Sequence, residues 1–241
     1  MSLLQQIQES VVEEGSNLGS ILLKLRLLAA RLGSDTLAEW VKYECEGYPQ
    51  EAEVPQYRKV GLTYKGTFSG PMGARIENSP IPPILIEEHA GKRWVTYDVR
   101  ESIAGIEYLA LDSIDGGEIG VDASNLILFL HNKIYENYSC NEVKAQISRV
   151  DISEIQQVVR SRILELTIEI EQSVPEALNV TFGSSSSIID TAPETIQKIS
   201  QQIIYGNVAN AITGDVRNVN ISVMKGDIES FKSFLVDAGF P

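Results

Sequence analysis

Apolar residues in the first fifty positions recur at intervals of three and four. Leu18, Ile21, Leu22, Leu25, Leu28, Ala29 and Leu32 fall on one side of a helix, and Gly33 follows where a left-handed residue is needed. A second helix carries Leu37, Trp40, Val41, Glu44 and Cys45 on one face. Asp35 or Thr36 is expected as its N-cap, and Thr36 with Glu39 has capping-box spacing. Gly47 ends it and Pro49 prevents its resumption. A shorter helix is expected over Leu3 to Glu13.

The period then drops to two. RKVGLTYKGTF alternates Val60, Leu62 and Tyr64, and RWVTYDV repeats the pattern with Trp94 and Tyr97, as strands with one buried face do. Pro80, Pro82 and Pro83 interrupt the region, and Gly70, Gly73, Gly116 and Gly117 mark turns. A short helix is expected over Glu101 to Leu109, another over Ser124 to Tyr138, and a strand over Asn141 to Val150. From Asp151 or Ser153 to Val174 a long helix carries Ile155, Val158, Val159, Ile163, Leu166 and Ile170 in one stripe. The Ser-rich stretch from Pro175 to Pro193 reads as a linker.

The tail holds an internal repeat. GNVANAIT, Gly206 to Thr213, aligns with GDVRNVNI, Gly214 to Ile221. Each copy pairs a turn with alternating residues. No Lys or Pro interrupts Gln201 to Val223, although these residues commonly blunt an exposed strand edge. Ile203, Ile204, Tyr205, Val208, Ile212, Val216, Val219 and Ile221 are therefore expected to form a strand module that joins subunits, followed by a closing helix capped by Asp227. The pattern gives an α+β fold: a helical unit (1–50), an antiparallel β-rich middle (51–150), a long helix (151–175), a linker (176–200) and a C-terminal strand–helix module (201–241).

Charge narrows the partners. Asp and Glu number 33 against 20 Lys and Arg, a net charge of −13, which argues against a broad phosphate-binding face. The best candidate for a local basic patch is KLRLLAAR, Lys24 to Arg31. No basic, apolar leader is present, so a cytoplasmic protein is expected. Two cysteines, Cys45 and Cys140, make no disulfide framework. The expected partner is another copy of the chain, rather than nucleic acid or membrane.

Recognisable chemistry is sparse. His89 and His131 lack partners at metal-ligand spacing, and read as a loop residue and a packed one. GSSSS, Gly183 to Ser187, lacks the second glycine of a nucleophile elbow. No phosphate-cradling glycine loop occurs, and no cofactor is expected. One alternative is a hydrolase or nuclease that binds a divalent cation through Asp112, Asp115, Glu118 and Asp122. Glu44 stands out differently. It lies one turn from a helix C-terminus, where the helix dipole disfavours negative charge, so it needs compensation. The reversal at Gly47 to Pro49 lets Arg58 return to it. A structural clamp of Trp40, Glu44, Tyr48 and Arg58 is expected in preference to a catalytic carboxylate.

These residues also carry a resemblance. Leu37, Ala38, Trp40, Glu44, Gly47, Tyr48 and Pro49, with Pro55, Tyr57 and Arg58, are similar to the N-terminal signature of the AbiTii family. VVRSRILEL (158–166), YGNVAN and KGDIESFKSFL resemble its long helix and its ending, whereas Gly66 to Asn125 matches weakly. The family is named for an abortive-infection component of bacteria, so the resemblance implies phage defence, with a phage or host protein as a further expected partner. It transfers no catalytic residues.

Overall fold

The computed structural model describes residues 1–111, 118–182 and 193–206, all within one compact unit. Helices α1 (Leu3–Val12), α2 (Leu18–Leu32) and α3 (Asp35–Glu46) come first. Ser2 and Gln5 form a capping box on α1, and Asn17 caps α2 by accepting from Ser20 N–H at 2.8 Å. Gly33 closes α2 at φ 67°. The cap of α3 is Ser34, one residue earlier than expected, which leaves Asp35 in the first turn where the helix dipole favours a negative charge.

Two antiparallel sheets follow. Strand β1 (Lys59–Gly61) pairs with β4 (Thr96–Asp98). The larger sheet contains β2 (Thr63–Ser69), β3 (Arg75–Ile81), β5 (Glu118–Val121) and β6 (Ser139–Ser148), in the order β3-β2-β6-β5. Helix α4 (Pro83–Ala90) begins at Pro83, where the missing proline N–H is harmless. Helix α5 (Ile103–Leu111) packs on α7 (Arg149–Ser173), which also packs against α1 and α8 (Pro193–Tyr205). Arg160 on α7 locks the α1–α2 turn by donating to Val11 O, Ser16 Oγ and Ser16 O at 3.2, 2.8 and 2.9 Å. One apolar core runs from Leu3 through the α2 stripe, the sheet and α7 to Ile204.

Three expectations change. Only Ile127–Leu130 (α6) of the stretch 124–138 is α-helical, after a 3₁₀ turn. Asn132 and Asn137 then take positive φ, and Tyr135 packs edge-on against Phe68 at 5.0 Å. Gly70 is required beside Tyr138, because a Cβ there would meet the ring at 2.6 Å. Strand β6 ends at Ser148, which itself caps α7 by accepting from Val150 N–H at 3.1 Å, in place of Asp151 or Ser153. Finally, residues 193–205 form α8 rather than the end of a linker and the start of a strand. Its Ile196, Ile199, Ile203 and Ile204 keep a three–four spacing and are buried in the core.

Candidate functional site

Helix α3 delivers Trp40 and Glu44 to one buried face, and its end is shaped by Gly47 at φ 94°. A Cβ at Gly47 would lie 2.9 Å from Arg100 O, and the next N–H, of Tyr48, donates to that same oxygen at 2.8 Å. The chain then reverses through Pro49 and Pro55 into a 3₁₀ turn, Gln56–Arg58, that feeds β1. This reversal returns Tyr57 and Arg58 to the carboxylate of Glu44.

The structure brings Trp40, Glu44, Tyr48 and Arg58 together. Glu44 Oε1 accepts from Tyr48 Oη at 2.7 Å, Tyr57 Oη at 2.8 Å and Arg58 Nε at 3.1 Å. Arg58 Nη2 donates to Oε2 at 2.5 Å, which makes the pair bidentate. Arg58 Nη1 donates to the carbonyls of Val99 at 3.0 Å and Glu101 at 2.7 Å. Trp40 Nε1 donates to Tyr57 Oη at 2.8 Å, and the guanidinium sits 4.8 Å from the centre of the Tyr48 ring. Both ionised side chains are 0% exposed.

Burial and then the charge of Glu44 push the Tyr48 phenol far above its ordinary range, and Tyr57 is raised for the same reasons. Burial works against the Arg58 charge, but Glu44 outweighs it and raises the guanidinium. The phenols therefore stay protonated donors and the arginine stays charged. The carboxylate has four donors and no exposed oxygen, so it is placed as a joint between α3, the entry to β1 and the exit of β4. Such a pair gains little over an apolar replacement, but losing one partner strands the other charge out of water.

Tyr57 was not among the expected clamp residues. Its signal lay in the sequence: the indole N–H of an apolar-face Trp40 needs an acceptor, and Tyr57 adjoins Arg58. Above the joint, Lys42, Tyr43, Glu46, Pro49, Arg100 and Glu101 line an open groove of about 430 Å³. Arg100 there is engaged by the Pro49 and Ala52 carbonyls and by Asp98.

The other sequence candidates separate. Asp112 and Asp115 lie outside the described residues. Glu118 accepts from Lys65 Nζ at 3.1 and 3.2 Å. Asp122 Oδ1 accepts from Ser124 Oγ at 2.6 Å and Ser124 N–H at 3.0 Å, and these bonds lower its pKa. Among the described residues no group of three or more His, Cys, Asp or Glu is placed to hold a metal. His89 is half-buried in the last turn of α4 instead of in a loop, and His131 is exposed in a turn instead of packed.

In the basic stretch, Lys24 donates to Ser10 Oγ at 2.7 Å, Arg26 to Glu46 at 3.0 Å and Arg31 to Thr181 O at 2.8 Å. Burial raises the thiol pKa of Cys45 and of Cys140. No described helix is long and apolar enough to cross a membrane. Ile203 and Ile204, expected to join subunits, are buried in the chain's own core, with Tyr205 ending the same helix. Val208, Ile212, Val216, Val219 and Ile221 lie outside the described residues.

The AbiTii family model matches residues 2–213, and the chain belongs to that family. No curated protein and no solved structure matches it. The family points to an abortive-infection defence protein.

Proposed function

We propose that this AbiTii protein serves abortive-infection defence against phage by assembling with further copies of itself, as the effector that harms the infected cell or as the sensor that detects infection. The boundary at Gly206 carries this reading. Up to Tyr205 the apolar residues of α8 pack inside their own core. Beyond it the sequence becomes a charge-poor repeat, with Asp215 and Arg217 the only ionised residues between Gly206 and Val223. A strand pattern so sparsely charged is a template for pairing with another chain.

Light scattering of the full chain tests the assembly, against a chain ending at Gly206. The cut belongs there and not at Pro193, because α8 supplies core residues. The full chain is expected as a dimer or larger, and the shortened chain as a folded monomer. Growth of expressing cells, with and without phage, tests the defence. Restriction by the full chain and its loss on shortening are expected; no effect on several phages would overturn the reading.

A further inference from the structure

The ladders on the two sides of β6 differ in length. On one side β2 pairs with it from Gln146 down to Ser139. On the other, β5 pairs only from Ser148 to Ala145, opposite Glu118 to Val121. The chain then turns away, because Asp122 accepts from both the N–H and the hydroxyl of Ser124 and folds Asp122–Ser124 into a turn. Ser139 to Lys144 is therefore left with one unpaired flank. An open groove of about 330 Å³ runs along it, between β6 and the segment that includes Asp122 and Ile127.

The two flanks of the sheet are not equally open. The far edge strand, β3, carries Pro80, Asn78 at φ 54° and the exposed charges Arg75 and Glu77, all of which discourage pairing. The free stretch of β6 has no proline, and its one lysine, Lys144, is held by Glu142 at 3.2 Å on the sheet face. An unpaired strand flank with a groove beside it is the form that accepts an added strand.

We propose that this groove takes a strand from a second copy of the chain, Asn218 to Val223, which continues the place that β5 vacates. Within the free stretch the alternation in the two partners matches over Glu142 to Lys144, and a bulge opposite Thr67 and Phe68 leaves Asn141 and Glu142 both exposed. Val143 and Ala145 of β6 point into the core while Glu142, Lys144 and Gln146 point outward. In NVNISV, Val219, Ile221 and Val223 alternate with Asn218, Asn220 and Ser222. The apolar set belongs beside Val143 and Ile127, and the amides and hydroxyl beside the polar set. This inference rests on the assembly reading above and adds the acceptor to it.

The test uses full-length chains. Glu142→Cys protein is mixed with Asn220→Cys protein and oxidised, with each variant alone and the native chain, which keeps Cys45 and Cys140, as controls. A disulfide-linked dimer formed chiefly in the mixture is expected. A chain carrying both cysteines should link to a second chain; a link closed within one chain overturns the proposal. Assembly by light scattering without any mixed disulfide overturns the docking site but leaves self-assembly standing. A monomeric native chain overturns both. Ile221→Lys gives a second measure. It should make the chain monomeric, with the melting temperature of the chain ending at Gly206, and assembly that survives it also overturns the proposal.

Discussion

Two of the acid–base pairs among the described residues look alike on paper. Glu44 and Arg58 meet at 2.5 Å with neither side chain exposed, whereas Glu142 and Lys144 meet at 3.2 Å with 52% and 54% of each side chain in water. The first is supplemented by two phenols and two backbone carbonyls. The second needs no such help, because water completes it. What differs is the consequence of loss: a buried charge without its partner has nowhere to turn, while an exposed one rehydrates. The same contrast extends to the backbone around each pair, which is closed at the joint and open on one flank of β6.

The largest effect that sharpens this contrast is Glu44→Ala. It should destabilise the protein by about 3–5 kcal/mol, by leaving Arg58 buried and uncompensated. Chemical denaturation of the variant measures this, and a midpoint equal to that of the native chain would break the comparison.

Alkaline pH should act next. Tyr48 and Tyr57 have folded-state pKa values raised above the unfolded value, so the unfolded chain loses their protons first. Their contribution is intact below about pH 10 and falls above it, by about 1.4 kcal/mol per tyrosine for each further pH unit. A denaturation series from pH 8 to 11 reads the slope, and Tyr57→Phe should reduce it.

Gly47→Ala should cost about 1–2 kcal/mol, because φ 94° is strained for alanine and the added Cβ meets Arg100 O at 2.9 Å. Thermal unfolding checks it. The smallest change belongs to the exposed pair: Lys144→Ala should stay within about 0.5 kcal/mol of the native chain. A larger loss would mean that the β6 pair is not the solvent-borne counterpart of the joint.

Much of this was legible in the sequence where one physical signal dominated. Helices α1 to α3 follow from their apolar stripes, and Glu44 drew attention because a carboxylate on an apolar face needs a partner. Where two signals competed, the reading slipped. Ser34, Asp35 and Thr36 are all capping residues, and only the backbone geometry selects Ser34. The apolar run Leu126 to Leu130 has a helical look, but the chain after it turns so that Tyr135 packs on Phe68 and Tyr138 on Tyr135. The β-branched pair Ile203–Ile204 reads as strand in isolation. Ile196 and Ile199, on the other side of an assumed linker boundary, complete a helical stripe with it. Tyr57 joins the network through its hydroxyl, which periodicity cannot register.

Ser148 ends one element and begins another: it pairs with Glu118 as the last residue of β6 and caps α7 with its own side chain. No slack residue separates the strand from a helix of 25 residues, about 37 Å long at 1.5 Å per residue. In mechanical terms the two form a shaft with a handle. A twist imposed on β6 would therefore be expected to turn α7 with it, and Arg160 ties that helix to the α1–α2 turn.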